Sequence, residues 1–358
     1  MRSYNHLIDI ALSDEVIKKS VHKVSLKRKK HRKSRKYADN EEETCELVHN
    51  WIINYHNDKH IPKIIEDGIT HKKRIIIVPT FKELVVQHCV VQALLPMFKR
   101  GMYEHTYASI PNRGSHKAKR YIESWIANDK KNCKYVLKMD IRHFFDTIPH
   151  DILKEMLAKK IHDKAMLDLL FEIIDITDEG LPLGFYTSQW LSNWYLQGLD
   201  HYIKENLQAV HYVRYMDDMV IFGSNKRELH KMRVMIEKYL NEELGLRLKD
   251  NWQVYRFDYV KNNKHYGRDL DFMGFRFFRK KTILRKSILR RIKRRVRKIR
   301  NKGKPTIHDI RQMLSYNGWL KATDTYGMYL NYIKPYIDFK KLKKRVSNYD
   351  RRNKEVMV

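Results

Sequence analysis

Two adjacent aspartates, Asp217 and Asp218, lie inside HYVRYMDDMVIF (residues 211–222), between two apolar, β-favouring runs. The pattern reads as a hairpin with Met216-Asp217-Asp218 at its tip. Such tips favour Asn-Gly or Asp-Gly, whose residues tolerate positive φ, and neighbouring like charges repel unless a cation sits on them. A lone Asp-Asp pair reads as an ordinary exposed turn. Its company argues for more. KYVLKMDI (134–141) alternates, with Tyr135, Leu137 and Met139 facing one way and Val136, Lys138 and Asp140 the other, as in a half-buried strand. If the strands are neighbours, Asp140, Asp217 and Asp218 converge at one edge. Hard divalent cations are the expected counter-charge, and Mg2+ prefers one or two carboxylates plus substrate phosphates. Two Mg2+ ions roughly 4 Å apart, or Mn2+ in their place, activate an attacking 3′-hydroxyl and stabilise a leaving pyrophosphate.

The bulk composition bounds the setting. A chain of 358 residues suits two or three packed units. With 73 Lys and Arg against 42 Asp and Glu, the formal charge is +31. Such a surplus attracts polyanions and makes their binding salt-dependent. Nucleic acid is the expected partner; a ribosome-associated protein and a basic tail on an unrelated body are the other readings. No apolar run approaches 18 residues and no signal-peptide pattern opens the chain, so neither membrane span nor membrane partner is expected. Cys45, Cys89 and Cys133 are far apart and odd in number, which argues against a disulfide framework and fits a reducing cytoplasm.

Along the chain, residues 18–36 carry eleven Lys or Arg and no acid, and are expected to be flexible or ordered by nucleic acid. Helices are expected from about residue 41, over 81–99, after Pro149, from Gly184 to about 205, and over 228–244 with Gly245 closing the last. RIIIVP (74–79) and LDFMGFRFF (270–278) read as strands. Residues 279–304 hold fifteen Lys or Arg and no acid. They pattern as a helix through Ile283, Leu284, Ile288, Leu289, Ile292, Val296 and Ile299. A further helix begins at Thr306, an N-cap residue type.

Set in order, these segments resemble reverse transcriptases. Y-M-D-D (215–218) resembles the family's catalytic hairpin, and DIRHFFDTI (140–148) its first palm motif. SIPNRGSHKA (109–118) is similar to the fingers segment, LPLGFYTSQWLSNWYL (181–196) to the motif opening the template-and-nucleotide helix. GLRLKDNWQV (245–254) resembles the segment after the palm helix, DFMGF (271–275) the primer-grip hairpin, and SYNGWLKATDTYGM (315–328) the end of the thumb. The resemblance spans roughly residues 45–330.

It implies an α+β right-hand polymerase: a basic N-terminal extension (1–40), fingers and an antiparallel palm (41–278), and a basic helical thumb with C-terminal tail (279–358). Asp140, Asp217 and Asp218 correspond to the metal-binding triad, with the Ile141 carbonyl as an extra ligand for two Mg2+ ions. Phe145 matches the ring that excludes a ribose 2′-hydroxyl; the plainer reading is that Phe144 and Phe145 are both core, although strand alternation would turn only one of them inward. Lys72, Lys73 or Arg74 would hold nucleotide phosphates, Arg74 being favoured for its bidentate fork. Leu183, Gly184 and Gln189 would line the nucleotide, and Lys249 would neutralise the leaving pyrophosphate. Arg113, Tyr215, Met216, Gly274, Arg290 and Arg294 would contact primer or template.

One departure is informative. Most of these enzymes open the 183–189 motif with Gln-Gly and close it with Ser-Pro. Here Leu183-Gly184 and Ser188-Gln189 resemble the reverse transcriptases of diversity-generating retroelements, which copy RNA with errors at adenines. That form implies low fidelity, a specific template RNA and a small accessory protein; a lineage-specific variant is the plainer reading. An antiphage polymerase acting with a structured noncoding RNA, and a non-catalytic splicing cofactor, are the alternatives. The N-A-x-x-H and V-T-G elements usual in retron enzymes are absent, Asn193 being followed by WYL. No RNase H, integrase or HNH-type extension is expected. The implied partners are template RNA, cDNA or primer, and dNTPs.

Overall fold

Apolar spacing accounts for most of the helices in the structure, a computed structural model that describes residues 3–27, 37, 40–66 and 73–355. The chain opens with α1 (Leu7–Leu12), α2 (Asp14–Lys27) and α3 (Glu41–Ile53). The basic run expected to be flexible is therefore helical as far as Lys27, and residues 28–36 lie outside the described ones. Ile17, Val21 and Val24 are buried at helical spacing, a stripe that the density of charge concealed.

A short hairpin, β1 (Lys63–Glu66) and β2 (Lys73–Ile76), precedes α4 (Phe81–Lys99). Helix α4 starts at a Thr80–Glu83 capping box and is apolar nearly all round, so it is enclosed by α1, α2 and α3. Next come α5 (Ser115–Asn128), β3 (Tyr135–Asp140), a 3-10 turn (Phe144–Thr147), α6 (His150–Ala158) and α7 (Lys164–Ile174). The single long helix expected after Gly184 is divided into α8 (Tyr186–Tyr195), α9 (Gln197–His201) and a π turn (Tyr202–Asn206). Gly198, a poor helix former, lies at this interruption. Strands β4 (His211–Tyr215) and β5 (Asp218–Gly223) form the expected hairpin, and α10 (Lys226–Leu244) ends at Gly245 with φ +60°.

The remainder is β6 (Gln253–Arg256), β7 (Tyr259–Lys261), β8 (Lys264–Tyr266), β9 (Leu270–Phe272), β10 (Phe275–Phe277), β11 (Thr282–Leu284), α11 (Lys286–Lys302), α12 (Ile307–Lys321), α13 (Tyr326–Tyr332) and α14 (Phe339–Glu355). Ile283 and Leu284 therefore belong to a strand, paired with Arg276 and Phe275, and the basic helix begins only afterwards. Thr306 caps α12 in a capping box with Asp309.

Strand order in the main sheet is β4-β5-β3-β6, and a three-stranded sheet runs β11-β10-β9. Two compact units result. One comprises Met1–Gly114, Leu137–Phe222 and Arg227–Val254; the other comprises Ser115–Val136, Gly223–Lys226 and Tyr255–Val358. The boundaries expected at 40 and 278 each fall inside a unit. Tyr212, Val213, Val220 and Ile221 are all fully buried, so the central hairpin is covered on both faces. That explains its continuous apolar runs. Val136 and Leu137 are likewise both buried, where alternation suggested a strand half in water. Among the described residues no helix is long and apolar enough to cross a membrane.

Candidate active site

The acidic hairpin is tighter than its sequence suggests. Tyr215 pairs with Asp218, so the tip is Met216 and Asp217 alone, and Asp218 already belongs to β5. Met216 has φ +59°, a conformation that costs a side-chain-bearing residue on the order of 1–3 kcal/mol unless its surroundings enforce it. Strand β3 lies beside β5, and the Ile141 N–H donates to the Asp217 carbonyl at 3.3 Å. Asp140 is thus brought to the hairpin, as the ordered motifs require.

A cation of the chain's own answers the clustered charge. The Lys249 ammonium donates to Asp140 Oδ1, while its backbone N–H donates to the Asp140 carbonyl at 2.8 Å. Burial, followed by the carboxylates of Asp140 and Asp218, pushes the Asp217 carboxyl up to about 7, and Lys249 pulls the other way. Among the described residues no three acidic, His or Cys side chains close into a ready-made metal cage. The donors nonetheless fit Mg2+: they are hard oxygens, and this ion keeps several waters and takes substrate phosphates as ligands. Asp140, Asp217 and Asp218 would hold it, with Lys249 on Asp140 standing in for that positive charge.

What enforces the strained tip is a buried arginine. Arg214 is 1% exposed and every donor of its guanidinium is engaged. Nε and Nη2 grip Asp200 at 2.7 and 2.6 Å, Nη1 reaches Asn193 Oδ1 and the Met216 carbonyl, and Nη2 also reaches the Asn193 carbonyl. Asp200 also accepts from the Tyr212 hydroxyl at 2.8 Å and the Thr106 hydroxyl at 3.3 Å. Ser192 Oγ points at Met216 Sδ, 3.4 Å away. Sequence reading passed over Arg214 and Asp200. The signal was an arginine interrupting a continuous apolar run, in a strand whose two faces are both buried.

The 3-10 turn buries Phe144 and leaves Phe145 partly exposed. A turn, not strand alternation, separates the two rings. The Phe145 carbonyl accepts from Leu181 N–H at 2.6 Å, and a side chain on Gly180 (φ +72°) would overlap that carbonyl. Leu183 is half-buried, and its carbonyl accepts from Ile77 N–H at 2.9 Å; Gln189 is exposed. Gly184 has φ +117°, and any Cβ there would overlap the Ile77 carbonyl oxygen. Arg74 and Lys73 are exposed on β2, three to four residues before Ile77; Lys72 lies outside the described residues. Arg113 is turned to its own loop, its Nη1 donating to the carbonyls of Tyr103 at 2.7 Å and Thr106 at 3.2 Å.

Gly274, Arg290 and Arg294 belong to the second unit. Met273 and Gly274 have φ +51° and +86°, the pair of positive values a type I′ hairpin needs. A Cβ on Gly274 would lie 2.9 Å from Ile288 and 3.2 Å from Trp319. Arg290 and Arg294 are exposed on α11, opposite the buried Ile288, Ile292, Val296 and Ile299.

A mixed α+β chain that presents an Asp-Asp hairpin beside a strand-end aspartate has the right-hand polymerase fold. Residues 60–260, more than half of the chain, match the family described as "Reverse transcriptase (RNA-dependent DNA polymerase)", and the chain belongs to that family. Protein YkfC of Escherichia coli (strain K12) is 25% identical over 254 residues, covering 59% of this chain and 65% of that protein. Retron Ec73 reverse transcriptase of Escherichia coli is 26% identical over 196 residues, covering 51% and 59%. The match thus falls short of two thirds of the length of these relatives. It extends to a retron enzyme although two elements usual in retrons are missing. Among solved structures, apo telomerase from Candida Tropicalis is 14% identical with a TM-score of 0.46, covering 65% of this chain and 52% of that one.

Proposed function

We propose that the chain is an RNA-directed DNA polymerase that extends a primer on an RNA template. The observation carrying this reading is the bond from Ile141 N–H to the Asp217 carbonyl, which joins the strand end at Asp140 to the acidic hairpin. Bound Mg2+ ions would supply an activated 3′-hydroxyl and charge compensation for the leaving pyrophosphate. The protein's part is positional. Asp140, Asp217 and Asp218, with the Ile141 carbonyl, supply hard oxygen ligands. Lys249 exchanges its contact with Asp140 for substrate phosphate. The Phe145 ring, its backbone pinned by Leu181, excludes a ribose 2′-hydroxyl, and Arg74 offers its fork to the triphosphate. Purified protein with a primed RNA, dNTPs and Mg2+ is expected to make cDNA. Asp217→Asn should lower that rate on the order of a hundredfold or more while leaving primed-template binding intact. Undiminished synthesis by Asp217→Asn would refute the assignment.

The finer reading is a mutagenic enzyme of the diversity-generating kind. It rests on Leu183, an apolar residue where a glutamine would check base-pair geometry through the sugar. Leu183→Gln leaves the backbone bond to Ile77 in place, so a folded variant is expected, with fewer misincorporations opposite template adenine. Sequencing the cDNA of both proteins measures this; equal error spectra would remove the role of Leu183.

A further inference from the structure

Far along the chain from the aspartates, the C-terminal helices enclose a cleft of about 580 Å³. Its lining includes Tyr326, Tyr329 and Phe339 together with the cations Lys321, Lys340 and Lys343. The ring centroids of Tyr326 and Tyr329 are 6.2 Å apart with planes 28° from parallel; those of Tyr329 and Phe339 are 6.4 Å apart at 20°. The three planes thus form a near-parallel ladder. Tyr326, at its outer end, is 68% exposed. Neighbouring tyrosines are differently employed: Lys293 sits 3.3 Å over the Tyr332 ring and Arg300 5.3 Å over that of Tyr336, tying them to α11. Among the described residues no acidic side chain lines the cleft. The acids flanking it in sequence are engaged with backbone, Asp324 accepting from Thr282 N–H at 2.7 Å and Asp338 from Lys340 N–H at 2.8 Å.

We propose that this cleft is a second nucleic-acid site, which takes an unpaired nucleotide of a single strand. Flat, near-parallel rings offer stacking faces to any base, and three lysines without a competing carboxylate neutralise the flanking phosphates. The volume falls in the range of sites that hold a ligand of nucleotide size. A duplex has its bases already stacked and offers such rings nothing, so the site selects unpaired strand. An acidic peptide would satisfy the lysines and leave the ring ladder unused. Binding here requires no metal and no chemistry, so the inference goes beyond the polymerase reading.

With 73 cations, overall affinity alone cannot locate this site, so the test must map it. Single-stranded RNA and DNA oligonucleotides of about ten nucleotides, each carrying one photoreactive uracil, are cross-linked to the full chain and the labelled peptides sequenced. Labelling is expected to concentrate on residues 321–343, with Tyr326 foremost. Labelling by RNA alone would assign the site to RNA; equal labelling would make it indifferent to the sugar. Tyr326→Ala should lower the cross-linking yield on the rest of residues 321–343 about fivefold or more, and Tyr326→Trp should retain it. Asp217→Asn should bind like the unmodified protein, which separates this result from any failure of polymerase activity. Cross-links scattered over the basic surface, an unchanged Tyr326→Ala, or displacement by polyglutamate as readily as by unlabelled oligonucleotide would each overturn the proposal.

Discussion

Arg214 and Asp200 explain how a methionine is held at positive φ beside two aspartates. Both members of the pair are 1% exposed, so their charges are out of water and depend on each other. Removing one partner of such a pair typically costs about 3–5 kcal/mol, because the other is left buried and unpaired. Arg214→Met is therefore expected to lower the unfolding free energy by about that amount in urea titration. Arg214→Met combined with Asp200→Leu should recover much of it, since buried pairs are often replaceable by apolar residues of similar volume. The Met216 carbonyl would still lack its donor. The double variant should consequently be folded and slow in primer extension; full activity would show that Arg214 stabilises the sheet without positioning the hairpin. The aspartates were legible in the sequence because a strand ending in Asp140 and a series of ordered motifs accompany the pair, which alone reads as an ordinary turn. Their support was not, since an arginine in a strand ordinarily reads as a solvated residue, and its acidic partner lies on a different element.

At the scale of elements, the segment 183–184 shows what a motif glycine is for. Its resemblance to the nucleotide-binding motif was legible, but the reason for Gly184 is a backbone contact with Ile77, distant in the chain. Gly184→Ala would force a Cβ into the Ile77 carbonyl at a φ that L-residues rarely adopt. A loss of about 1–3 kcal/mol is expected, concentrated in the Ile77–Leu183 contact. Hydrogen exchange at the Ile77 amide should accelerate in Gly184→Ala and stay slow in Leu183→Gln, which alters only the side chain. Equal protection in the two variants would remove this account of Gly184. Elsewhere periodicity succeeded where apolar residues recur over several turns, as in α4 and α10. It failed where local geometry changes within a few residues. Ile283 and Leu284 continue a sheet before the basic helix begins; at Phe144 and Phe145 only one ring is buried, as expected, but a 3-10 turn and not a strand separates them. In α2 the apolar stripe was present, but lysines between its members masked it.

For the molecule as a whole, the charge of +31 was legible from composition, whereas its disposition required the fold. In α11 the apolar stripe Ile288, Ile292, Val296 and Ile299 is buried, which turns Arg290 and Arg294 to solvent on a helix with no acid in its sequence. Such a face can follow a phosphate backbone without reading bases, as a duplex of RNA and DNA demands. Its contribution is separable from the rest by salt. Each phosphate neutralised releases counterions, so the logarithm of the binding constant falls linearly with the logarithm of salt concentration. Removing one contact should flatten that slope by about 1. Arg290→Ala with Arg294→Ala is therefore expected to weaken binding of a primed RNA template and reduce the slope by about 2, measured by anisotropy across a salt series. Thermal unfolding should be little changed, because neither side chain is buried. A slope equal to that of the unmodified protein would mean that α11 faces solvent in the complex, and that the duplex is held by other cations.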